Sequence, residues 1–162
     1  MSLVLIGPPA AGKTRVGKRL ATRLGLEFID TDRVIVAEHG AIASIFARHG
    51  EPYFRTLERD AVAEALTSSG VVSLGGGAVL NTETQADLAG RTVVLLTTTA
   101  EAAATRILNT KRPLIDGIEA WKRLNESRAG LYASLADFTI DTSARPVESI
   151  VEAIASWVKG PR

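Results

Sequence analysis

At 162 residues the chain fits one domain at roughly 150 residues per domain, which argues against a two-domain enzyme. Nineteen Lys+Arg against 18 Asp+Glu leave a formal charge of +1, so no nucleic-acid or membrane partner is expected, while 46% hydrophobic residues suffice for a core without disulfide or metal staples. Cysteine is absent, which excludes disulfides, thiolate zinc sites and a Cys nucleophile and fits a reducing cytoplasm; no signal-peptide pattern or apolar run of about 18 residues suggests export or a membrane span.

In chain order, Leu3 to Ile6 is a short apolar run followed by Val16, Leu20 and Leu24 on one helical stripe. A second run spans Leu26 to Ile29. From about Arg33 to Thr67 the pattern is helical with no strand, with Leu57, Ala61 and Leu66 on one stripe. Further runs follow at Val71 to Leu74 and Val93 to Leu96, then a loop from Asn109 to Glu119 punctuated by Arg112-Pro113 and Asp116-Gly117. Trp121, Leu124, Arg128 and Leu131 mark another helix, Phe138 to Ile140 a weaker strand, and Pro146 with Val147, Ile150, Val151, Ile154 and Trp157 a terminal helix. Each strand is expected to be buried on both faces. Strands alternating with helices predict an α/β fold with a five-stranded parallel sheet flanked by helices. The core covers about 1–32, 61–108 and 120–162, with a helical insertion at about 33–60 and a loop excursion at about 109–119.

Gly7-Pro8-Pro9-Ala10-Ala11-Gly12-Lys13-Thr14 satisfies G-x-x-x-x-G-K-S/T between a buried strand and an amphipathic helix, where its mechanism requires it. Backbone along Gly7, Ala10, Ala11 and Gly12 would wrap nucleotide phosphates, Lys13 would reach the β- and γ-phosphates, and Thr14 would meet Mg²⁺. The loop alone does not name a reaction. The size of the chain and the absence of N-K-x-D favour a small-molecule kinase over a GTPase, helicase or motor.

Asp30-Thr31-Asp32 places two carboxylates at the C-terminal edge of the second strand, where open α/β sheets bind ligands. One could support the metal and the other orient or deprotonate an acceptor hydroxyl; either could instead cap the next helix. The third strand runs into Gly75-Gly76-Gly77, with exposed N–H groups able to meet a polar substrate or simply a plain loop. Arg55 stands three residues before Glu58 on a shared helix face, which a surface ion pair would also explain. Arg112 could swing over the phosphates or remain a solvated loop residue. Arg128, on an otherwise apolar face, points inward or snorkels to water. His39 and His49 are expected at helix ends or loops, and Trp121 and Trp157 in the core.

Taken together, the phosphate loop, Asp30-Thr31-Asp32, Phe54-Arg55 with Glu58, Ser73-Leu74-Gly75-Gly76-Gly77, Arg112-Pro113-Leu114, Arg128 with Leu131-Tyr132, and Asp141-Thr142 resemble the shikimate kinases over nearly the whole chain. The resemblance implies a P-loop kinase fold and ATP-dependent phosphorylation of the 3-hydroxyl of shikimate in aromatic amino-acid biosynthesis. It implies Lys13 and Thr14 on the nucleotide phosphates and Mg²⁺, Asp30 supporting the metal, and Asp32 binding the acceptor hydroxyls as base. Arg55 and Arg128 would clamp the substrate carboxylate, with Gly76 and Gly77 lining the same pocket. Arg112 would be the lid arginine, and Arg106 and Arg145 would flank the adenine. By the same likeness, 33–60 is a substrate-binding insertion and 109–119 a lid, shortened here to Leu114-Ile115-Asp116-Gly117 after Pro113. Partners are expected to be ATP and shikimate, with the chain a cytoplasmic monomer. The rivals are a gluconate kinase, which shares fold, loop and lid, and a nucleotide-binding regulatory module without catalysis.

Overall fold

The sheet is organised around its first strand, β1 (Leu3–Ile6), whose four side chains are all buried. Leu3 and Leu5 point to one face and Val4 and Ile6 to the other, each into its own apolar cluster, so the two-residue alternation of a strand accounts for a run with no polar member. The structure, a computed structural model, describes residues 2–108 and 117–160. β1 pairs in parallel with β3 (Val71–Ser73) on one side and β4 (Thr92–Thr97) on the other; β2 (Phe28–Asp30) pairs outside β3, and β5 (Phe138–Asp141) outside β4. Among the described residues this gives a five-stranded parallel sheet in the order β2-β3-β1-β4-β5.

Helices α1 (Lys13–Leu24) and α8 (Val147–Lys159) cover one face through Val16, Leu20, Ile150 and Ile154. The other face takes α4 (Glu51–Ala65), α5 (Thr82–Leu88) and α7 (Ile118–Leu135), with Val62, Leu88 and Tyr132 against Val4, Ile6 and Leu74. Full burial of such side chains contributes about 1.5–3 kcal/mol each. Burial on both faces holds for the central strands. Residues of β2 are only partly buried, and Thr139 and Asp141 of β5 are exposed, because edge strands have a neighbour on one side alone and helices overlap them incompletely.

The strandless stretch is three helices: α2 (Thr31–His39), α3 (Ile42–His49) and α4. They carry a small core of their own, Ile35, Ile45, Phe54 and Ala61 with Phe46 and Leu57 packed on it. His39 and His49 end α2 and α3 as expected. Trp157 stacks on Phe138 with ring centroids 4.8 Å apart, and Trp121 is buried with Ala10 and Ala103 beside α6 (Ala100–Leu108). The expected lid falls mostly on 109–116, Arg112 included, outside the described residues, and α7 already begins at Ile118.

Candidate active site

The phosphate loop leaves β1 through Gly7, whose φ of 146° and position against β4 admit no side chain: a Cβ there would lie 2.2 Å from the Leu96 carbonyl oxygen. The loop closes on Gly12, at φ 90°, and among the described residues no side-chain hydrogen bond caps the first turn of α1, so its N-terminal N–H groups and positive dipole end face the cleft. Lys13 Nζ donates to the carbonyl oxygens of Gly7 at 2.8 Å and Pro8 at 2.9 Å, folded back across the loop. Thr14 Oγ1 donates to Asp30 Oδ2 at 2.6 Å. The other oxygen of Asp30 accepts from the backbone N–H groups of Asp32 and Arg33 at 3.0 and 3.3 Å. Asp30 therefore caps α2 with one oxygen and meets the loop threonine with the other.

Beside the loop the cleft deepens between the insertion and the glycine run. Arg55 Nη1 donates to Glu58 Oε1 at 2.8 Å, and its Nη2 to Glu51 at 3.1 Å. This is not a surface pair. Glu58 is 3% exposed and the Arg55 side chain 25%, and Arg128 of the same cleft is 8% exposed. Burial pushes the Glu58 carboxyl above the usual carboxylate range, against the pull of Arg55 and with a further push from Asp32. Arg55 is raised: burial opposes its charge, but Glu58 and Glu51 more than offset that. The glycines fit these charges closely. A Cβ on Gly75 would sit 2.7 Å from Asp32 Oδ1 and 2.9 Å from Glu58 Oε2, and one on Gly77 would sit 2.7 Å from both terminal nitrogens of Arg55.

One cleft of about 880 Å³ joins the two halves, lined at one end by Lys13, Thr14 and Asp30 and at the other by Asp32, Arg55 and Arg128. Ala10, Ala11, Gly12, Gly76 and Gly77 line it as well, whereas Gly7 lies beneath, shaping the turn. Arg106 lines the cleft beside the phosphate loop, donating to Ala10 O at 2.7 Å and Thr142 O at 2.7 Å. Arg145 stands at the rim, exposed and donating to Ser149 Oγ. Arg112 lies outside the described residues. Three contributors escaped the sequence reading as site residues: Glu58, Trp121 and Tyr132. The signal for Glu58 was its spacing from Arg55 on one face of α4, and for Trp121 and Tyr132 it was their spacing with Arg128 on one face of α7. Among the described residues no three His, Asp or Glu side chains are gathered as a metal cage; one carboxylate and one hydroxyl is instead the donor set that suits Mg²⁺ shared with phosphates.

A parallel sheet carrying this loop between its central strand and the helix that follows, with a charged cleft alongside, defines a phosphate-loop kinase. The family model described as shikimate kinase matches residues 9–159. The chain belongs to the shikimate kinase family. It is 50% identical over 157 residues to a shikimate kinase of Thermobifida fusca, covering 94% of this chain and 91% of that one. A shikimate kinase of Streptomyces coelicolor is 45% identical over 162 residues, covering 97% and 95%. Among solved structures, shikimate kinase from Acinetobacter baumannii in complex with shikimate superposes with a TM-score of 0.91 at 34% identity, covering 97% and 92%.

Proposed function

We propose that this chain transfers the γ-phosphoryl group of ATP to the 3-hydroxyl of shikimate, giving shikimate 3-phosphate for aromatic amino-acid biosynthesis. The observation that carries the reading is the convergence of two buried or half-buried arginines, Arg55 and Arg128, on a cleft that also holds Asp32 and the glycine run. A planar guanidinium meets a carboxylate through two parallel N–H···O bonds. Asp32 and the backbone of Gly76 and Gly77 are suited to ring hydroxyls, and a solved relative is in complex with shikimate.

In this reading Lys13 exchanges its bonds to the Gly7 and Pro8 carbonyls for the β- and γ-phosphates. Thr14 and Asp30, whose oxygens lie 2.6 Å apart, would hold Mg²⁺, which neutralises phosphate charge when bound. The acceptor oxygen attacks the γ-phosphorus, the bond to the bridging oxygen of ADP breaks, and Asp32 takes the hydroxyl proton. Arg112, on the lid of residues 109–119, neutralises charge on the transferring group. Arg106 and Arg145 serve the adenine end. Residues 33–60 form the acceptor-binding part of the single domain. The reading extends to a monomer in the cytoplasm, a compartment that the cysteine-free composition fits.

ADP release measured with shikimate, with gluconate and without acceptor tests the substrate: release should depend on shikimate. Asp32→Asn should retain ATP affinity and lose about 10² to 10⁴ in turnover. Equal turnover with gluconate, or near-normal turnover by the variant, rejects the reading.

A further inference from the structure

Helix α7 delivers three buried side chains from one face to three different places. Trp121, Arg128 and Tyr132 recur at two-turn and one-turn spacings, which returns them to the same side of a helix. Trp121 Nε1 donates to the Pro9 carbonyl oxygen at 2.7 Å, within the phosphate loop. Roughly three turns further along, the Tyr132 hydroxyl donates to the Gly76 carbonyl oxygen at 2.6 Å, within the acceptor glycine run. Arg128, between them, lines the cleft.

The two carbonyls belong to segments that touch each other. A Cβ on Gly76 would lie 3.0 Å from Pro9 Cδ, so the proline ring rests on the glycine run. The loop also needs holding. Ala10, the residue after Pro9, has φ 68°, a left-handed conformation that L side chains resist. Its methyl packs with Trp121 and Ala103, and its carbonyl accepts from Arg106. The indole thus meets the loop twice, by packing on Ala10 and by its hydrogen bond to Pro9.

We infer that Trp121 and Tyr132 are positioning residues: through the Pro9 and Gly76 carbonyls, α7 fixes the phosphate-donor loop and the acceptor pocket at the separation that in-line transfer needs. The inference rests on the proposed function for the identity of the acceptor. In-line transfer depends on such placement because most of its catalysis is positioning and charge stabilisation.

The test uses Trp121→Phe, which keeps an aromatic ring without the N–H, and Tyr132→Phe, which deletes one oxygen. Trp121→Phe should raise the ATP KM about tenfold, with the shikimate KM unchanged; Tyr132→Phe should do the reverse, about tenfold on the shikimate KM. Both should lower kcat. A merely structural role would lower the melting temperature without splitting the two KM values. Wild-type KM values in both variants, or a parallel rise of both KM values in each, overturns the inference. Calorimetric titration of Trp121→Phe with a non-hydrolysable ATP analogue reads the donor half without any acceptor, so failure of wild-type protein to use shikimate is distinguished from failure of this inference. Should Trp121→Phe not fold, the Tyr132→Phe arm decides alone.

Discussion

Glu58 lies buried against Arg55, and because desolvation outweighs the attraction of the guanidinium its carboxyl sits above the ordinary value of 4.5. The native state then holds that proton more tightly than the unfolded chain. Its contribution to stability is complete below pH 4.5 and is lost as pH rises through the raised native value. Urea unfolding across a pH series should show this fall in the wild-type protein and a flatter profile in Glu58→Gln. The same variant should raise the acceptor KM, by about tenfold if a charge-assisted hydrogen bond is lost, because Arg55 loses its anchor. An unchanged pH slope would assign the titration to another group. Sequence spacing could place Arg55 and Glu58 on one helix face. It could not say that the face points inward, which depends on how α4 packs between the sheet and the insertion.

At the scale of elements, two glycines at strand ends make opposite predictions. In Gly7→Ala the new methyl meets the Leu96 carbonyl at 2.2 Å, in a backbone conformation with φ 146°, and neither backbone can give way. That variant should be destabilised by several kcal/mol, of the order of about 3 kcal/mol or more, on overpacking and strain together. In Gly77→Ala the methyl first meets the tip of Arg55, at 2.7 Å, which can swing aside. Thermal melting of this variant should match wild type while its acceptor KM rises; a large loss of melting temperature would show the glycine run to be structural. The central strands were legible because burial on both faces leaves an unbroken apolar run. The joints of the insertion were not: α2 and α3 are joined by Gly40-Ala41 and α3 and α4 by Gly50 alone, with Gly40 at φ 87° and Gly50 at φ 80°, so the helical pattern runs on across both. The tie between α7 and the phosphate loop was equally hidden, since a carbonyl acceptor such as that of Pro9 leaves no mark in the sequence.

Taken whole, the molecule should couple ligand binding to stability, because its cleft draws on the sheet, the insertion and α7 together. A ligand that binds only the native state at a hundred times its dissociation constant adds about 2.7 kcal/mol, which for a chain of this size raises Tm by about 2–4 °C per kcal/mol. Shikimate should produce such a shift and gluconate should not; equal shifts would count against carboxylate-and-ring recognition. The strand order carries a consequence for synthesis. Among the described residues β1 finds its partners only in β3 and β4, and β2 pairs only with β3, so none of these rungs of the sheet can close until Val71–Ser73 has left the ribosome. At about 5–20 residues per second the nascent chain spends several seconds with the apolar β1 unpaired. Helices α1 to α4 are made in that interval, before the sheet they pack against exists. A ribosome paused before Val71 would hold a helical but sheetless chain, the species best suited to capture by a chaperone, and release of the pause would let β3 insert between two strands that had been waiting for it.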